Sequence, residues 1–160
     1  MKRFVVVLFV VAGLTGSVNA QTGGGSEPSA PEIVRAAEQG DMVTVEKRLA
    51  AGESVDAQDR GRGWSALMVL AQMGRWDAVR CLLEHGASVD LRDNRGWTAL
   101  MLAAGCGDCD VIEVLLTAGA DAFATNQDGL TAYDIARKAN RRDVVRFLRD
   151  ETGIIGPMTE

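Results

Sequence analysis

Histidine is almost missing from this 160-residue sequence, which contains only His85. A hydrolytic triad needs a base histidine aligned with a Ser or Cys nucleophile, and no such motif accompanies His85. No Gly-rich phosphate loop, no HExxH helix and no paired metal-ligand cluster occurs. Cysteine is scarce as well: three residues, an odd and low count that rules out a disulfide scaffold. Basic runs are lacking, so nothing is placed to neutralise a row of phosphates or to seek an anionic bilayer surface. Long apolar runs are lacking too. The longest, Phe4 to Leu14, has 11 residues against the ~20 that a spanning helix requires. These absences argue against an enzyme, a nucleic-acid binder and a membrane-spanning protein. No residue set calls for a cofactor.

That apolar run has its own meaning. Lys2 and Arg3 precede it, and Val18-Asn19-Ala20 follows with small residues at −3 and −1 of a cleavage site. The pattern reads as a secretory signal peptide over residues 1–20, leaving a mature chain that starts at Gln21. Gln21 stands where a lipid-bearing cysteine would be needed, so a lipid anchor is not expected. Loss of Lys2 and Arg3 from the 17 basic residues leaves 15 against 22 acidic ones, a net charge of −7. The expected location is the periplasm or outside the cell. Residues 21–30, rich in Gly, Ser and Pro, read as a flexible tether, and roughly 120 residues beyond it suit one domain.

What the remainder has is repetition. Residues 63–68 read GWSALM and residues 96–101 read GWTALM, 33 positions later. A further step of 33 from Thr98 reaches Thr131 in DGLTAYDIA, and a step of 34 back from Ser65 reaches Pro31 in APEIVRAA. A fixed period of this size marks stacked supersecondary units. Each unit has one grammar. A turn glycine (Gly63, Gly96, Gly129) precedes a Ser or Thr suited to N-capping, and a short Ala/Leu-rich helix follows. A polar turn at Gly40-Asp41, Gly74-Arg75 or Gly107-Asp108 leads to a second helix with apolar residues three and four apart, such as Val79, Leu82 and Leu83. That helix ends at Gly52, Gly86 or Gly119, and an extended finger leads on.

The chain resembles the ankyrin repeat. The third unit, GWTALMLAAGCGDCDVIEVLLTAGADA, matches most fully the family's Thr-Pro-Leu-His-x-Ala-Ala, Gly-His, Val-Val-x-Leu-Leu-Leu and Gly-Ala-Asp stretches. The resemblance implies an all-α repeat fold: an ankyrin solenoid of four helix-turn-helix units with short β-hairpin fingers. The units are expected near 31–60, 61–93, 94–126 and 127–152, with a C-terminal tail over 153–160. Two departures recur. The family's proline is Ala66, Ala99 and Ala132, and its histidine is Met68, Met101 and Asp134. Methionine cannot join the hydrogen-bond network that the histidine supports, so adjacent units are expected to lock by packing and to be less rigid. The end units carry polar residues where a neighbour is missing: Lys47 and Arg48 in the first, Asn140-Arg141 in the last. The finger before the second unit, DRGRG against DNRG, has one extra residue and should show a bulged tip.

The resemblance also implies protein binding, through a concave surface of finger tips and first helices. On this chain the fingers supply Arg60, Arg62, Trp64, Arg92, Asn94, Arg95, Trp97, Asn126, Gln127 and Leu130, and the first helices supply Met68, Gln72, Met73, Met101, Gly105, Asp134 and Lys138. Met68 and Met101 are equally open to the reading that they pack between units. Trp64 and Trp97 hold the same place in successive fingers, with Arg60, Arg62, Arg92 and Arg95 around them in an otherwise acidic chain; Trp and Arg are enriched at interface hot spots. Small exported bacterial ankyrin proteins are similar, and as a group they protect oxidative-stress enzymes such as catalase or neutralise secreted toxins as immunity proteins. A monomer with one protein partner is expected. Cys106-Gly107-Asp108-Cys109 leaves three readings open: two free thiols, a local disulfide favoured by an oxidising compartment, or a redox or metal site. The third supports an alternative function as a thiol redox or chaperone-like protein, with Cys109 activated by the helix that begins there. Cys81 reads as an apolar filler of its helix.

Overall fold

The computed structural model describes residues 30–153. The expected signal peptide, the tether up to residue 29 and the tail from residue 154 lie outside the described residues. Eight helices follow in order: α1 (Glu32–Glu38), α2 (Met42–Ala50), α3 (Ala66–Gln72), α4 (Trp76–Glu84), α5 (Ala99–Cys106), α6 (Cys109–Thr117), α7 (Ala132–Lys138) and α8 (Arg142–Thr152). They pair as four hairpins, with α1, α3, α5 and α7 stacked in one layer and α4, α6 and α8 in contact behind them.

The helix starts are those the hydroxyl spacing predicts. Ser65 and Thr98 each accept a hydrogen bond from the backbone N–H three residues on, both at 3.4 Å. Thr131 does so within a capping box, in which Asp134 returns the bond to the Thr131 N–H at 3.2 Å. Asp134, where the other units have methionine, therefore works on its own helix. Pro31 has no side chain to cap α1; Glu53, from the first finger, accepts from the Ile33 N–H at 3.1 Å instead. Asn140 ends α7 at φ +57, the left-handed geometry that glycine provides in the turns of the units before it.

Every residue from Ala66 to Ala71 and from Ala99 to Ala104 is buried, because α3 and α5 have a unit on each side. Helices hydrophobic all round belong inside. The many alanines let these helices stack closely, while Leu67, Leu70, Leu100, Ile112 and Leu115 fill the space between layers. The ends behave differently. Val43 on α2 is exposed, Lys47 lies in solvent and Arg48 pairs with Glu32 at 2.8 Å, as an end face with no neighbour requires.

The fingers depart from the expected β-hairpins. Among the described residues there is a single isolated bridge, Gln58 to Ser65, and no strand. Each finger is a tight turn whose base is closed by a backbone bond: Asp59 N–H to Trp64 O, Asp93 N–H to Trp97 O and Asn126 N–H to Leu130 O. The first turn is one residue longer. Asp59 O receives its bond from Gly63, four residues on, whereas Asp93 O and Asn126 O receive theirs from three residues on. This is the bulged tip predicted from DRGRG.

Between fingers runs a polar ladder that the sequence reading did not foresee. Asn94 N–H donates to Arg62 O and Gln127 N–H to Arg95 O, each at 3.0 Å. Side chains add to it: Gln58 Nε2 to Arg92 O at 2.8 Å, Asn94 Nδ2 to Gly61 O at 2.9 Å, Gln127 Nε2 to Asn94 O at 3.0 Å and Arg92 to Thr125 O at 2.7 Å. Units lacking the histidine network are thus tied at their fingers, and methionine packing is only part of the lock. The approach is close. A Cβ on Gly63, whose φ is +76, would stand 2.9 Å from the Asn94 backbone nitrogen, so glycine is needed there twice over.

Candidate protein-binding groove

The longer first finger and the second finger enclose a groove of about 410 Å³ over the end of α3 and the middle of α5. Gly61, Arg62 and Trp64 form one wall, Asp93, Asn94, Arg95 and Trp97 the other, and Gln72 and Leu102 the floor. Four residues predicted from sequence, Arg62, Trp64, Arg95 and Trp97, meet here. Gln72 and Asn94, named as surface candidates, join them. Leu102 and Asp93 were missed.

Asp93 organises the groove. One carboxylate oxygen accepts from the Arg95 and Trp97 N–H groups at 2.8 and 2.7 Å, shaping its own turn. The other accepts from Trp64 Nε1 at 3.1 Å, pinning the preceding finger's indole. Over that indole lies the Arg62 guanidinium, 4.1 Å from the ring centre, a cation–π stack. Arg62 is further held by Glu38 at 2.6 Å and Asp59 at 3.6 Å. Trp64 therefore braces the fingers while part of its ring lines the groove.

The second indole is placed differently. Residue 126 stands 33 after Asp93, and there it is asparagine. Its Oδ1 accepts from the Asp128 and Leu130 N–H groups at 2.9 and 3.0 Å, which fixes the amide's orientation and leaves Nδ2 at the place of Asp93's second oxygen. Trp97 Nε1 and Asn126 Nδ2 are both buried, both donors, and both without a partner among the described residues.

The other candidates disperse. Met68 and Met101 are each 1% exposed, so they cannot touch a partner; of the two readings left open, packing between units is the one realised. They face the neighbouring helices because the position three residues after the N-cap points along the stack. Arg60 is exposed at its finger tip, and Arg92 is exposed but spent on the Thr125 carbonyl. Leu130 is half-buried against the core and lies outside the groove. Arg95 is open to solvent: its side chain is 71% exposed, with Asp128 at 4.0 Å its ion-pair partner.

Of the three readings open for Cys106 and Cys109 the structure has the free thiols, and Cys81 is a free thiol as well. Cys106 ends α5 in solvent, and Cys109 opens α6 half-buried. Burial pushes the Cys109 thiol up from its ordinary range, and the carboxylates of Asp143, Asp108 and Asp110 push it further. The expected activation by the helix start is overridden, first because burial disfavours a thiolate there and then because three negative charges oppose it. Burial, then Glu46 and Glu84, raises the Cys81 thiol likewise. Cys81 is half-buried rather than a fully enclosed filler. His85 is exposed at the end of α4, its Nδ1 2.8 Å from the Cys81 carbonyl.

A family model for ankyrin repeats, built of three copies, matches residues 33–126, more than half of the chain. The chain belongs to the ankyrin-repeat family. Among curated proteins it is similar to the 2-5A-dependent ribonuclease of Mus musculus, 38% identical over 55 residues, which is 34% of this chain and 8% of that protein. So small a share carries a repeat and nothing of the ribonuclease activity in that protein's name. Ankyrin repeats commonly mediate protein–protein binding.

Proposed function

We propose that this chain is an exported, monomeric, non-catalytic binding module that holds a protein partner in the groove between its first two fingers, in the periplasm or outside the cell. Its service to that partner is either neutralisation, as an immunity protein neutralises a toxin, or protection, as of an oxidative-stress enzyme. The observation that supports the site is the meeting of two half-buried indoles and two guanidinium groups around one groove, on a body whose net charge is otherwise negative. Buried aromatic edges supply the anchor, and the basic rim orients an acidic partner surface and speeds its arrival. The signal-like N-terminus supports export. Two outcomes test this reading. The protein recovered from a periplasmic fraction should begin at Gln21. A tagged mature chain should retain one dominant protein from that fraction, and Arg95→Glu, a change at an exposed side chain, should reduce its recovery at least tenfold with an unaltered helical circular-dichroism signal. Equal recovery by the variant would remove the groove from the interface. The identity of the retained protein, a toxin or a stress enzyme, decides between the two services.

A further inference from the structure

The solenoid joins its units by a second register of bonds, outside the finger groove's lining, and this register breaks at the third unit. Asp56 Oδ1 accepts from the Ser88 N–H at 2.8 Å, and 34 residues later Asp90 Oδ1 accepts from the Asp121 N–H at 2.9 Å. The next equivalent position, 33 residues on, is Phe123. A residue that elsewhere bonds the following unit has become a ring 62% exposed to solvent. It lines a cleft of about 640 Å³ between the ends of α6 and α8. Leu116 and Phe147 line this cleft with it; Glu113, Asp121 and Glu151 stand at its edge, and no Lys or Arg does. A second cleft of about 380 Å³, lined by Leu83, Val114 and Ala118 with Glu84 and one cation, Arg80, shares Glu113 and Thr117 with the first, so the two form one track across the α6 face. Its carboxylates outnumber the single guanidinium, which lies over the Trp76 ring at 5.4 Å.

We propose that this track is a second docking surface, distinct from the finger groove, and that its occupant is a cationic amphipathic segment of another protein. An exposed aromatic floor gains by being covered, since an apolar patch facing water is unfavourable. Carboxylates spaced around that floor select among apolar occupants: they repel acidic ones and hold Lys or Arg side chains whose stems lie along the rings. The segment beyond Gly153, whose one charged side chain is Glu160, brings no positive charge to such a rim. Charge thus favours an external basic segment over the chain's own tail.

A fluorescent Lys/Leu amphipathic peptide, with a Glu/Leu peptide of the same apolar spacing as control, tests this by anisotropy on the mature chain. The Lys/Leu peptide should bind and the Glu/Leu peptide should not. Phe123→Asp restores the residue type of the two preceding units and adds negative charge, yet it should weaken binding at least tenfold. Glu113→Gln with Glu151→Gln should weaken binding severalfold and flatten its salt dependence, and Arg95→Glu should leave it within twofold of wild type. The proposal is overturned if Phe123→Asp binds as well as or better than wild type, because a general attraction to an acidic protein would then suffice. It is overturned equally if the Glu/Leu peptide competes, or if a chain ending at Gly153 binds tenfold more tightly, since the tail would then be the natural occupant. None of these outcomes depends on the finger groove, so this surface and that one stand or fall separately.

Discussion

Replacing Asn126 by aspartate should stabilise the protein, although the position is 95% buried and the change adds a charge to an acidic chain. In the preceding unit Asp93 offers two oxygens, one to its own turn and one to Trp64 Nε1. At Asn126 the first is kept and the second is an NH2 group, so two buried donors, Nδ2 and Trp97 Nε1, lack acceptors. A buried unsatisfied donor costs ~1–3 kcal/mol, and a hydrogen bond to a charged group contributes ~1.5–3 kcal/mol. Against this stands the cost of desolvating a carboxylate, which the fold already bears at Asp59, the equivalent and equally buried position of the first finger, where two backbone N–H groups hold it. The balance for Asn126→Asp is a gain of about 1–2 kcal/mol, smaller than either donor term because the new charge must be solvated by the same few groups. For a domain of this size that gain raises Tm by roughly 3–8 °C. Thermal unfolding followed by circular dichroism, with urea midpoints beside it, reads the effect directly. The reasoning has an internal control: in a Trp97→Phe background, which removes the indole donor, most of the gain must vanish, since a double-mutant cycle isolates the pair. A lower Tm for Asn126→Asp, or a gain that persists without the indole, would refute it. The reverse change, Asp93→Asn, should cost about as much by taking the acceptor from Trp64.

Two further outcomes follow from positions where structure and sequence pattern diverge. Met101→Ala, made in a side chain 1% exposed between stacked helices, should destabilise the fold by ~2–5 kcal/mol in urea titrations, while partner affinity measured well below the midpoint stays unchanged. Cys109 should react with iodoacetamide near pH 8 more slowly than an unperturbed thiol, because burial and the Asp143, Asp108 and Asp110 carboxylates keep it protonated. Its thiol favours the neutral form in the fold, so rising pH brings up its rate later than that of a model thiol; a rate above the model thiol would restore the redox reading.

The repeat made the fold legible, and specific side chains show why. A period of 33 with a hydroxyl at a fixed place defines a helix start by capping chemistry that needs no tertiary partner, and Ser65, Thr98 and Thr131 are caps as read. The extra residue of the first finger was legible for the same local reason. What pattern could not tell was direction. Met68 and Met101 sit on the helix layer that floors the candidate groove, but both are buried, and only the neighbouring unit's position decides that. Arg92 was counted as a recognition residue because it is basic and at a tip; its engagement with Thr125 depends on how far apart successive fingers lie. The activation expected of Cys109 came from its own helix, whereas the charges that oppose it include Asp143, from a different unit. Contacts within a unit are written in its own residues. Contacts between units are written in the differences between repeats, which a period-matching reading averages away.

Those differences also limit where a partner can sit. If the binding surface followed the repeat, each finger would contribute alike and the groove would run the length of the stack. It does not, because the third finger has Leu130 where the first two have Trp64 and Trp97, and Leu130 turns into the core. The first finger is longer by one residue, and the longer turn lets Arg62 fold back over Trp64, held from the first unit's side by Glu38. The groove is therefore centred on one step of the stack, between an immobilised guanidinium on Trp64 and an exposed one at Arg95. Such a site offers a partner one pre-arranged stacking surface and one adaptable charge. An acidic loop carrying a single apolar or aromatic anchor fits that arrangement better than a long segment laid along every finger. Affinity should accordingly depend steeply on the first two fingers and little on Leu130, since a site one step wide has its anchor in one place.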